Sequence, residues 1–229
     1  MKASIIIPAY NEEKTILNQL KLVSKVDYHI PYEVIVVNDG STDSTYTEAL
    51  KAKRFIKVLR VVGYAKNRGK GYAVRMGIKK AKGDIIAIQD ADLEYSPSQL
   101  PKLIKLVLDG KSEVAYGSRF KTRNKSVYWI YGFGNKFLSL AASLLFLSWV
   151  SDIETNYKVF KKDLFNKLNI RANGFDFEPE ITAKILKRGF RITELPISYN
   201  DRTKEEGKKI KVSDGIKALF TMIKYRFVD

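Results

Sequence analysis

Short apolar runs alternate with amphipathic stretches along the first half of the chain. Apolar residues recur at helical spacing between Ile16 and Val26 and between Leu100 and Leu108, with charged residues on the other face. The runs around them are short, rich in β-branched residues and almost continuously hydrophobic, as strands covered on both faces should be. These runs cover residues 4–8, 33–39, 56–62, 84–90 and 113–118. The alternation predicts an α/β fold with a mostly parallel sheet and helices on both faces.

The second half of the chain has a different pattern. Residues 155–161 and 191–197 are predicted strands on either side of a helix over residues 179–188. Before them, residues 127–150 form an apolar segment that carries a single lysine. Near the end, the apolar residues between Val212 and Phe227 fall on one face of a predicted helix. No internal repeat or linker is evident, so we expect one domain over residues 1–229.

The composition narrows the chemistry that the chain can perform. Its 229 residues, 45% of them hydrophobic, are enough to bury a core, which excludes a disordered protein. The absence of cysteine excludes disulfides, cysteine-based zinc sites and thiol nucleophiles. A single histidine, His29, argues against histidine-rich metal sites and a serine-type triad. Chemistry is therefore expected from carboxylates, lysine, arginine, hydroxyls or a metal with oxygen ligands.

The charge balance predicts a partner that carries phosphate. The 41 Lys and Arg residues exceed the 25 Asp and Glu residues, which gives a net charge of +16 and attracts nucleic acid, anionic lipids or phosphorylated small molecules. Met1 leads directly into a strand-like run rather than a signal peptide, so we expect a cytoplasmic protein. The longest uncharged apolar stretch, residues 137–150, is shorter than the roughly 20 residues of a spanning helix, so we expect no transmembrane segment.

Carboxylates follow three of the predicted strands. Glu12 comes after the first strand, Asp39 ends the second, and Asp90 and Asp92 come after the fourth. Because ligands of parallel α/β sheets bind beyond the carboxyl ends of the strands, we expect these four side chains at one edge of the sheet. Asn11, directly before Glu12, is also typical of a helix start.

Asp90 and Asp92 are the strongest candidates for a metal site. Two carboxylates one residue apart at the end of a buried strand repel each other unless a cation or a basic group lies between them. Mg²⁺ and Mn²⁺ prefer oxygen ligands and leave coordination positions for water or substrate phosphates. The pair therefore predicts a divalent metal that bridges the protein to a diphosphate.

A glycine-rich stretch, Asn67-Arg68-Gly69-Lys70-Gly71, has two open interpretations. It lacks the spacing of an ATP-binding phosphate loop and the three glycines of a dinucleotide-binding fingerprint, which argues against an ATPase or an NAD enzyme. A basic turn that opens a helix can face a phosphate. Equally, the glycines can serve only to let a helix pack closely.

Four motifs follow one another in a fixed order along the chain. They are residues 7–12 (IPAYNE), 37–43 (VNDGSTD), 67–71 (NRGKG) and 90–94 (DADLE). The chain resembles family 2 glycosyltransferases, in which these motifs occur in the same order. Together with residues 117–119, 156–160 and 196–202, it is most similar to the polyprenyl-phosphate sugar synthase branch, such as dolichyl-phosphate mannose or glucose synthases. The resemblance covers nearly the whole chain.

The resemblance implies the A-type glycosyltransferase fold, with a Rossmann-like sheet, and assigns roles by position. A nucleotide-sugar-binding half covers residues 1–118, and an acceptor- and membrane-facing half covers residues 119–229. Nucleotide contacts are implied for Pro8, Tyr10, Glu12, Val37, Asp39, Asp90 and Ala91. Mg²⁺ or Mn²⁺ is implied at Asp90, Asp92 and Glu94, although Glu94 stands where relatives often have Gln. Contacts to the acceptor phosphate are implied for Arg119, Arg202, Lys208 and Lys209, and catalytic roles for Asp92, Arg119 and Arg202.

The reaction implied by the resemblance is inverting transfer of a hexose from a nucleotide sugar, such as GDP-mannose or UDP-glucose, to a polyprenyl or dolichyl phosphate. A phosphate monoester has a second pKa of about 6, so this nucleophile is already largely ionised at neutral pH and needs no strong base. Arginine and lysine side chains would offset the repulsion between the two anionic reactants. The metal would stabilise charge on the departing diphosphate.

Three alternatives stay open from the sequence. A related glycosyltransferase could act on a soluble or cell-wall acceptor, which would need a carboxylate base near the sugar. A basic non-enzymatic module could bind nucleic acid or membranes, although we expect no nucleic-acid partner. Residues 127–150 contain Trp129, Tyr131 and Trp149, residue types that settle at membrane interfaces, but an ordinary core or oligomer-interface helix would have the same pattern. If residues 127–150 lie at a membrane interface, we expect the protein to make peripheral contact with the anionic cytoplasmic face of the membrane.

Overall fold

Seven strands occur in the part of the chain that the computed structural model describes, which is residues 1–122, 129–200 and 212–228. They form one sheet in the order β3-β2-β1-β4-β6-β5-β7. The strands are β1 (Ala3–Ala9), β2 (Tyr32–Asp39), β3 (Leu59–Tyr64), β4 (Ile85–Ile88), β5 (Val114–Ser118), β6 (Lys158–Lys161) and β7 (Ile192–Pro196).

The α-helices of the described residues connect and cover these strands. They are α1 (Ile16–Ser24), α2 (Thr45–Leu50), α3 (Lys70–Lys80), α4 (Leu100–Leu108), α5 (Trp129–Phe146), α6 (Lys162–Leu168), α7 (Phe177–Lys187) and α8 (Val212–Phe227). Two short 3₁₀ helices, Lys51–Arg54 and Pro97–Gln99, precede β3 and α4. None of the helices in these described ranges has the length and hydrophobicity needed to cross a membrane.

The predicted mostly parallel sheet is confirmed, with one antiparallel strand inserted. β1 pairs in parallel with both β2 and β4, β2 with β3, and β5 with β7. β6 runs antiparallel between β4 and β5, so these two strands still point in the same direction. The carboxyl ends of β1, β2, β4 and β5 therefore lie at one edge of the sheet, where parallel α/β sheets bind ligands.

The core has two layers because successive side chains of a strand point to opposite faces of the sheet. On one face, Ile5 and Ile7 pack with residues of α1 and α4. On the other face, Ile6 packs in a second core that includes residues of α3, α7 and α8. Both faces of β1 are fully covered, which explains why its sequence is almost continuously apolar.

Two of the predicted strands begin three residues later than expected. Residues 56–62 were expected to form a strand, but β3 begins at Leu59 because Ile56 is buried at the end of a 3₁₀ turn, where its backbone N–H donates to Ala52. Residues 155–161 were expected to be extended, but β6 begins only at Lys158. The residues before it instead turn through the cavity wall described below.

Candidate active site

A cavity of about 310 Å³ opens at the carboxyl ends of the strands β1, β2 and β4. Its wall collects most of the residues to which the sequence assigned nucleotide or metal contacts. Those on the wall are Pro8, Tyr10, Glu12, Asp39, Asp90, Ala91, Asp92 and Glu94. The convergence expected from the strand ends is therefore present in the structure.

Side-chain bonds between the loops after β1 and β2 fix one side of the cavity. Asn11 adopts a left-handed backbone conformation with φ of 52°, and its Oδ1 accepts a hydrogen bond of 2.9 Å from the backbone N–H of Thr42. The backbone N–H of Glu12 donates to Thr45 Oγ1 at 2.7 Å. The expected helix start at Asn11 is wrong, because this residue joins two loops and α1 begins only at Ile16.

Asp39 holds the glycine-rich loop against the end of β2. Its Oδ1 accepts hydrogen bonds from Tyr64 Oη at 2.7 Å and from the backbone N–H of Arg68 at 2.8 Å. Its Oδ2 accepts from Asn67 Nδ2 at 3.0 Å and from the backbone N–H of Gly69 at 2.9 Å. A nucleoside that contacts this carboxylate must share or replace one of these four donors.

Val37 is placed away from the cavity. Its side chain is completely buried in the core layer beneath α3, where it packs close to Gly77. This side chain is therefore not among those that line the cavity, and its implied nucleotide contact stays a prediction. The physical reason is strand alternation, because every second residue of β2 points into a core layer.

The glycines of the 67–71 loop allow a close approach between two backbone segments. Gly69 has φ of 96°, and a Cβ atom there would lie 2.4 Å from the backbone oxygen of Asn173. A Cβ atom at Gly71 would lie 2.6 Å from the backbone oxygen of Ala172. The geometry therefore supports the interpretation that these glycines allow close packing.

Lys70, the first residue of α3, lies between carboxylates from two different parts of the chain. Its Nζ is 3.1 Å from Asp90 Oδ1 and 3.1 Å from Glu178 Oε1, and it donates to Asn156 Oδ1 at 2.5 Å. Burial opposes protonation of this amine, but Asp90 and Glu178 outweigh it and raise the pKa of Lys70 above its ordinary value. Lys70 thus stays charged and separates the carboxylates.

The aspartates after β4 offer the oxygen ligands that a divalent cation requires. Asp90 already accepts contacts from a cationic group, Lys70, and from Asn156 Nδ2, while Asp92 Oδ1 accepts from the backbone N–H of Glu94 at 3.2 Å. Across the described ranges, no three acidic or histidine side chains gather into a group that could hold a metal. Asp90 and Asp92 both line the cavity, and their carboxylates suit Mg²⁺ or Mn²⁺ if the remaining ligands come from diphosphate or water.

Glu94 is engaged with the chain segment that follows β7. Its Oε2 accepts a hydrogen bond of 3.0 Å from Tyr199 Oη, and its backbone oxygen accepts one of 2.9 Å from the N–H of Asn200. Tyr199 also lines the cavity. Glu94 therefore fastens residues 199–200 to the cavity wall.

Arg119 is bound to Asp152 behind the cavity wall. Its Nε and Nη2 donate to the two oxygens of Asp152, each at 2.8 Å, and its guanidinium lies 5.1 Å from the centre of the Tyr199 ring. Burial opposes ionisation of Asp152, but the Arg119 ion pair outweighs it and lowers the pKa of this carboxyl. In this structure the guanidinium of Arg119 takes a buried carboxylate as its partner, and its implied phosphate contact stays a prediction.

A second pair of carboxylates, missed by the sequence analysis, lines the cavity. Glu154 and Glu178 both face it, with the buried ammonium of Lys158 near them. Burial, reinforced by Glu178, raises the pKa of Glu154 to about 7. Burial also lowers the pKa of Lys158 to about 8 against the attraction of both glutamates. A lysine within the apolar run Tyr157–Phe160 was the available signal, because a buried ammonium requires nearby acceptors or counter-ions.

The family of the chain follows from comparison with known proteins. Residues 4–169 match the family model described as Glycosyl transferase family 2. The chain belongs to this family. The resemblance found in the four sequence motifs is thereby confirmed, and the protein is a glycosyltransferase.

Two curated relatives of the glycosyltransferase carry names that specify dolichyl phosphate. It is 31% identical over 216 residues to a dolichol-phosphate mannosyltransferase of Pyrococcus furiosus, covering 91% of this chain. It is 28% identical over 241 residues to a dolichyl-phosphate beta-glucosyltransferase of Trichomonas vaginalis, covering 96% of this chain and 72% of the relative. The chain spans only 59% of the length of the Pyrococcus furiosus relative.

Solved structures confirm the fold of the glycosyltransferase. Glucosyl-3-phosphoglycerate synthase of Mycobacterium tuberculosis, in complex with Mn²⁺, UDP and glucosyl-3-phosphoglycerate, superposes with a TM-score of 0.74 at 20% identity. That match covers 100% of this chain and 81% of the synthase. TarS of S. aureus superposes with a TM-score of 0.63 at 20% identity and covers 99% of this chain and 72% of TarS. The implied A-type glycosyltransferase fold is thus confirmed.

Three implied phosphate-binding residues of the glycosyltransferase lie outside the described residues. They are Arg202, Lys208 and Lys209. Their roles stay predictions. The described chain before them ends at Asn200, whose backbone N–H donates to the backbone oxygen of Glu94 at 2.9 Å, and Glu94 lines the cavity.

Proposed function

We propose that this glycosyltransferase transfers a hexose from a nucleotide sugar to a polyprenyl phosphate with inversion at the anomeric carbon. A phosphate oxygen of the acceptor forms the new bond to that carbon, and the bond to the nucleoside diphosphate breaks. The observation that carries the proposal is the cavity, which joins the positions implied for nucleotide binding to Asp90 and Asp92. The names of the two curated relatives favour a polyprenyl phosphate as the acceptor.

The donor side of the proposed site is built by the loops after β1 and β2. Pro8 and Tyr10 line the cavity beside Asp39, whose four hydrogen bonds keep the 67–69 loop in place. A preorganised wall of this kind lowers the entropy lost on binding. We assign the nucleoside to this side, with the diphosphate directed towards Asp90 and Asp92.

A divalent cation, Mg²⁺ or Mn²⁺, would be held by Asp90 and Asp92. When bound, it supplies positive charge that offsets the charge of the departing diphosphate. Lys70 contributes a second, permanent positive charge at the same wall, because its contact with Asp90 keeps it protonated. The binding of Mn²⁺ in the synthase from Mycobacterium tuberculosis agrees with this choice of metal.

The acceptor phosphate requires positively charged side chains to bind it, and it does not require a base to deprotonate it. It is already largely ionised at neutral pH, since its second pKa is about 6. We assign its binding to Arg202, Lys208 and Lys209, on the segment that begins after Asn200. Arginine at such a site gives bidentate, charge-assisted hydrogen bonds to phosphate. Arg119 supports this side through Tyr199, over whose ring its guanidinium lies.

An exposed apolar surface on α5 and α8 is the proposed contact with the membrane, which we place on its cytoplasmic face. The two helices are joined where Arg226 Nε donates to the backbone oxygen of Leu145 at 2.8 Å. Lys136, Lys217 and Lys224 lie on the same helices and suit anionic headgroups. The large exposed apolar side chains are Phe137, Leu140, Leu144, Leu147 and Trp149 on and after α5, and Ile216, Phe220, Ile223 and Phe227 on α8.

The face of α8 that packs against the protein differs from the face that the sequence pattern predicted, and the proposed membrane contact accounts for the difference. The apolar residues between Val212 and Phe227 were predicted to share one face, and four of them are exposed in the structure. The side that packs against the protein instead carries Ala218, Met222 and Tyr225. An apolar stripe that a helix leaves exposed is typical of a surface that binds lipid or another protein.

A panel of donors and acceptors tests the proposal. Purified protein with Mn²⁺ is incubated with radiolabelled UDP-glucose or GDP-mannose, and either a polyprenyl phosphate in detergent or 3-phosphoglycerate is added. We expect label in the organic phase with the polyprenyl phosphate and none on 3-phosphoglycerate. Label only on 3-phosphoglycerate would instead support a soluble acceptor like that of the Mycobacterium tuberculosis synthase. Transfer to neither acceptor from either donor would contradict the proposal.

A further inference from the structure

Two carboxylate oxygens in the cavity are buried without a partner. Glu154 Oε1 and Glu178 Oε2 each lack a hydrogen bond among the residues that the structure describes. Glu178 is 3% exposed, and both residues line the cavity. Because an unpaired buried carboxylate oxygen costs free energy, these two atoms mark a place where a hydrogen-bond donor is missing.

The missing donor is not supplied by the nearby lysines. Lys70 binds the other oxygen of Glu178, at 3.1 Å. The Nζ of Lys158 donates to the backbone oxygens of Ile153 and Thr155 and lies 4.6 Å from the centre of the Tyr116 ring. Both ammonium groups therefore have partners of their own.

The two carboxylate pairs of the cavity are separated by Lys70. This lysine touches Asp90 on one side and Glu178 on the other. In the proposed reaction, Asp90 and Asp92 face the diphosphate. Glu154 and Glu178 then face the part of the donor that lies beyond the diphosphate, which is the hexose.

The charges around Glu154 and Glu178 determine which class of chemical group can bind in this part of the cavity. A second phosphate would be repelled by the two glutamates, and the ammonium groups of Lys70 and Lys158 disfavour an added cation. A neutral group with several hydroxyls satisfies carboxylate acceptors without adding charge, and hydrogen bonds to charged groups are stronger than those between neutral groups. A hexose is such a group.

We propose that Glu154 accepts hydrogen bonds from hydroxyls of the donor hexose and determines which sugar the enzyme uses. This inference rests on the proposed function and adds to it a specificity-determining residue. Glu178 supports the same contact, and its ion pair with Lys70 keeps it in place. A site built to bind a hydroxyl rejects the analogue that lacks it, because a buried acceptor is then left unpaired.

Isothermal titration calorimetry with Glu154→Gln separates recognition of the sugar from recognition of the nucleotide. The probes are UDP, UDP-glucose, GDP and GDP-mannose, each with Mn²⁺. For the nucleotide sugar that binds the wild type, we expect Glu154→Gln to weaken binding at least about tenfold, while binding of the matching nucleotide changes less than about twofold. The matched control is Glu113→Gln, an exposed glutamate at the opposite end of the sheet, which should change neither.

Monodeoxy derivatives of the bound sugar test specificity directly. The wild type should bind at least one derivative about tenfold more weakly than the parent, and Glu154→Gln should bind both equally. If Glu154→Gln does not fold, Glu154→Asp keeps the charge near Lys158 and withdraws the oxygen by one methylene, and the same selective loss is expected.

Two results would overturn the inference, and a third would contradict the proposed function on which it rests. Equal weakening of nucleotide and nucleotide sugar would show that Glu154 only maintains the fold. Unchanged binding of both would show that the hexose lies elsewhere. Either result overturns the inference but leaves the proposed function standing, because the wild type still binds a nucleotide sugar. Failure of the wild type to bind any of the four probes would instead contradict the proposed function itself.

Discussion

Lys70 Nζ and Glu178 Oε1 lie 3.1 Å apart, and this ion pair joins the first turn of α3 to the first turn of α7. Lys70 also binds Asp90, so one ammonium connects the end of β4 to both helices. A charge in this position has two effects: it offsets the repulsion between the acids, and it holds the cavity wall together.

Removal of the Lys70 charge should destabilise the protein strongly. Lys70→Met leaves Asp90 and Glu178 without their shared cation, and breaking a largely buried ion pair by removing one partner costs about 3–5 kcal/mol. Urea unfolding measures the change. Lys51→Met removes an exposed pair with Glu48 and is the matched control, expected to cost less than about 1 kcal/mol. Equal costs for the two variants would refute the importance of the buried pair.

The Arg119–Asp152 pair predicts a stability loss in acid. Because the pKa of Asp152 is lowered in the folded state, its contribution is fully present above the unfolded pKa of about 3.9 and is lost as the pH falls through the folded value. Asp152→Asn should therefore be clearly less stable than the wild type at pH 6, and the difference should shrink below about pH 4. Urea midpoints between pH 3 and pH 6 provide the measurement. A difference that stays constant across this range would contradict the assignment.

The raised pKa of Glu154 predicts that this residue lowers stability as the pH rises, whereas Asp152 loses its stabilising effect as the pH falls. Its folded value of about 7 exceeds the unfolded value of about 4.3, so wild-type stability falls as the pH rises between these values. Glu154→Gln removes this cost. The stability of the variant relative to the wild type should therefore increase from pH 5 to pH 8, and urea midpoints at both pH values test it. A difference between variant and wild type that stays constant from pH 5 to pH 8 would contradict the assignment.

Gly69 should tolerate no side chain. Gly69→Ala would place a Cβ atom 2.4 Å from the backbone oxygen of Asn173 and would also require a positive φ of 96°. Gly189→Ala is the matched control, since its φ is also positive, 77°, but nothing lies within 4 Å of its Cβ. The control should cost about 1–2 kcal/mol from backbone strain alone, and Gly69→Ala clearly more. Similar unfolding free energies for the two variants would exclude the close approach.

The exposed surface of α5 and α8 predicts binding to anionic vesicles. Replacing Leu144 and Phe220 together by Gln should reduce co-sedimentation with vesicles of phosphatidylglycerol and phosphatidylcholine, because both side chains are about 70% exposed there. Leu22→Gln changes an exposed leucine of α1, on the other face of the sheet, and should leave binding unchanged. Equal binding by the double variant and the wild type would contradict the membrane contact.

The sequence predicted the fold and one side of the site well, for identifiable reasons. Strands buried on both faces give continuous apolar runs, and their carboxyl ends carry Asp39, Asp90 and Asp92 within short sequence motifs. These features are local. They could be located before the sheet order was known, because parallel strands bring their ends to the same edge.

The other side of the site depends on contacts between distant segments. Lys70 meets Glu178 because α3 and α7, which are far apart along the chain, come into contact, and no local sequence pattern indicates this. The burial of the Val37 side chain in the core could not be predicted, because a strand buried on both faces shows no alternation in its sequence. The partner of Arg119 was similarly hidden, since a strand-end arginine has the same sequence signature whether it binds a phosphate or a buried carboxylate.

In the proposed reaction, Asp90 and Asp92 hold a divalent cation that is needed for transfer of the sugar. Transfer of radiolabelled hexose to polyprenyl phosphate by the wild type and by Asp92→Asn, with Mn²⁺ or with EDTA, tests it most directly, and circular dichroism establishes that the variant is folded. We predict rapid transfer by the wild type with Mn²⁺, loss of transfer with EDTA, and at least about a hundredfold slower transfer by the folded variant. Glycolipid formed at the wild-type rate by folded Asp92→Asn, or by the wild type in EDTA, would contradict the claim.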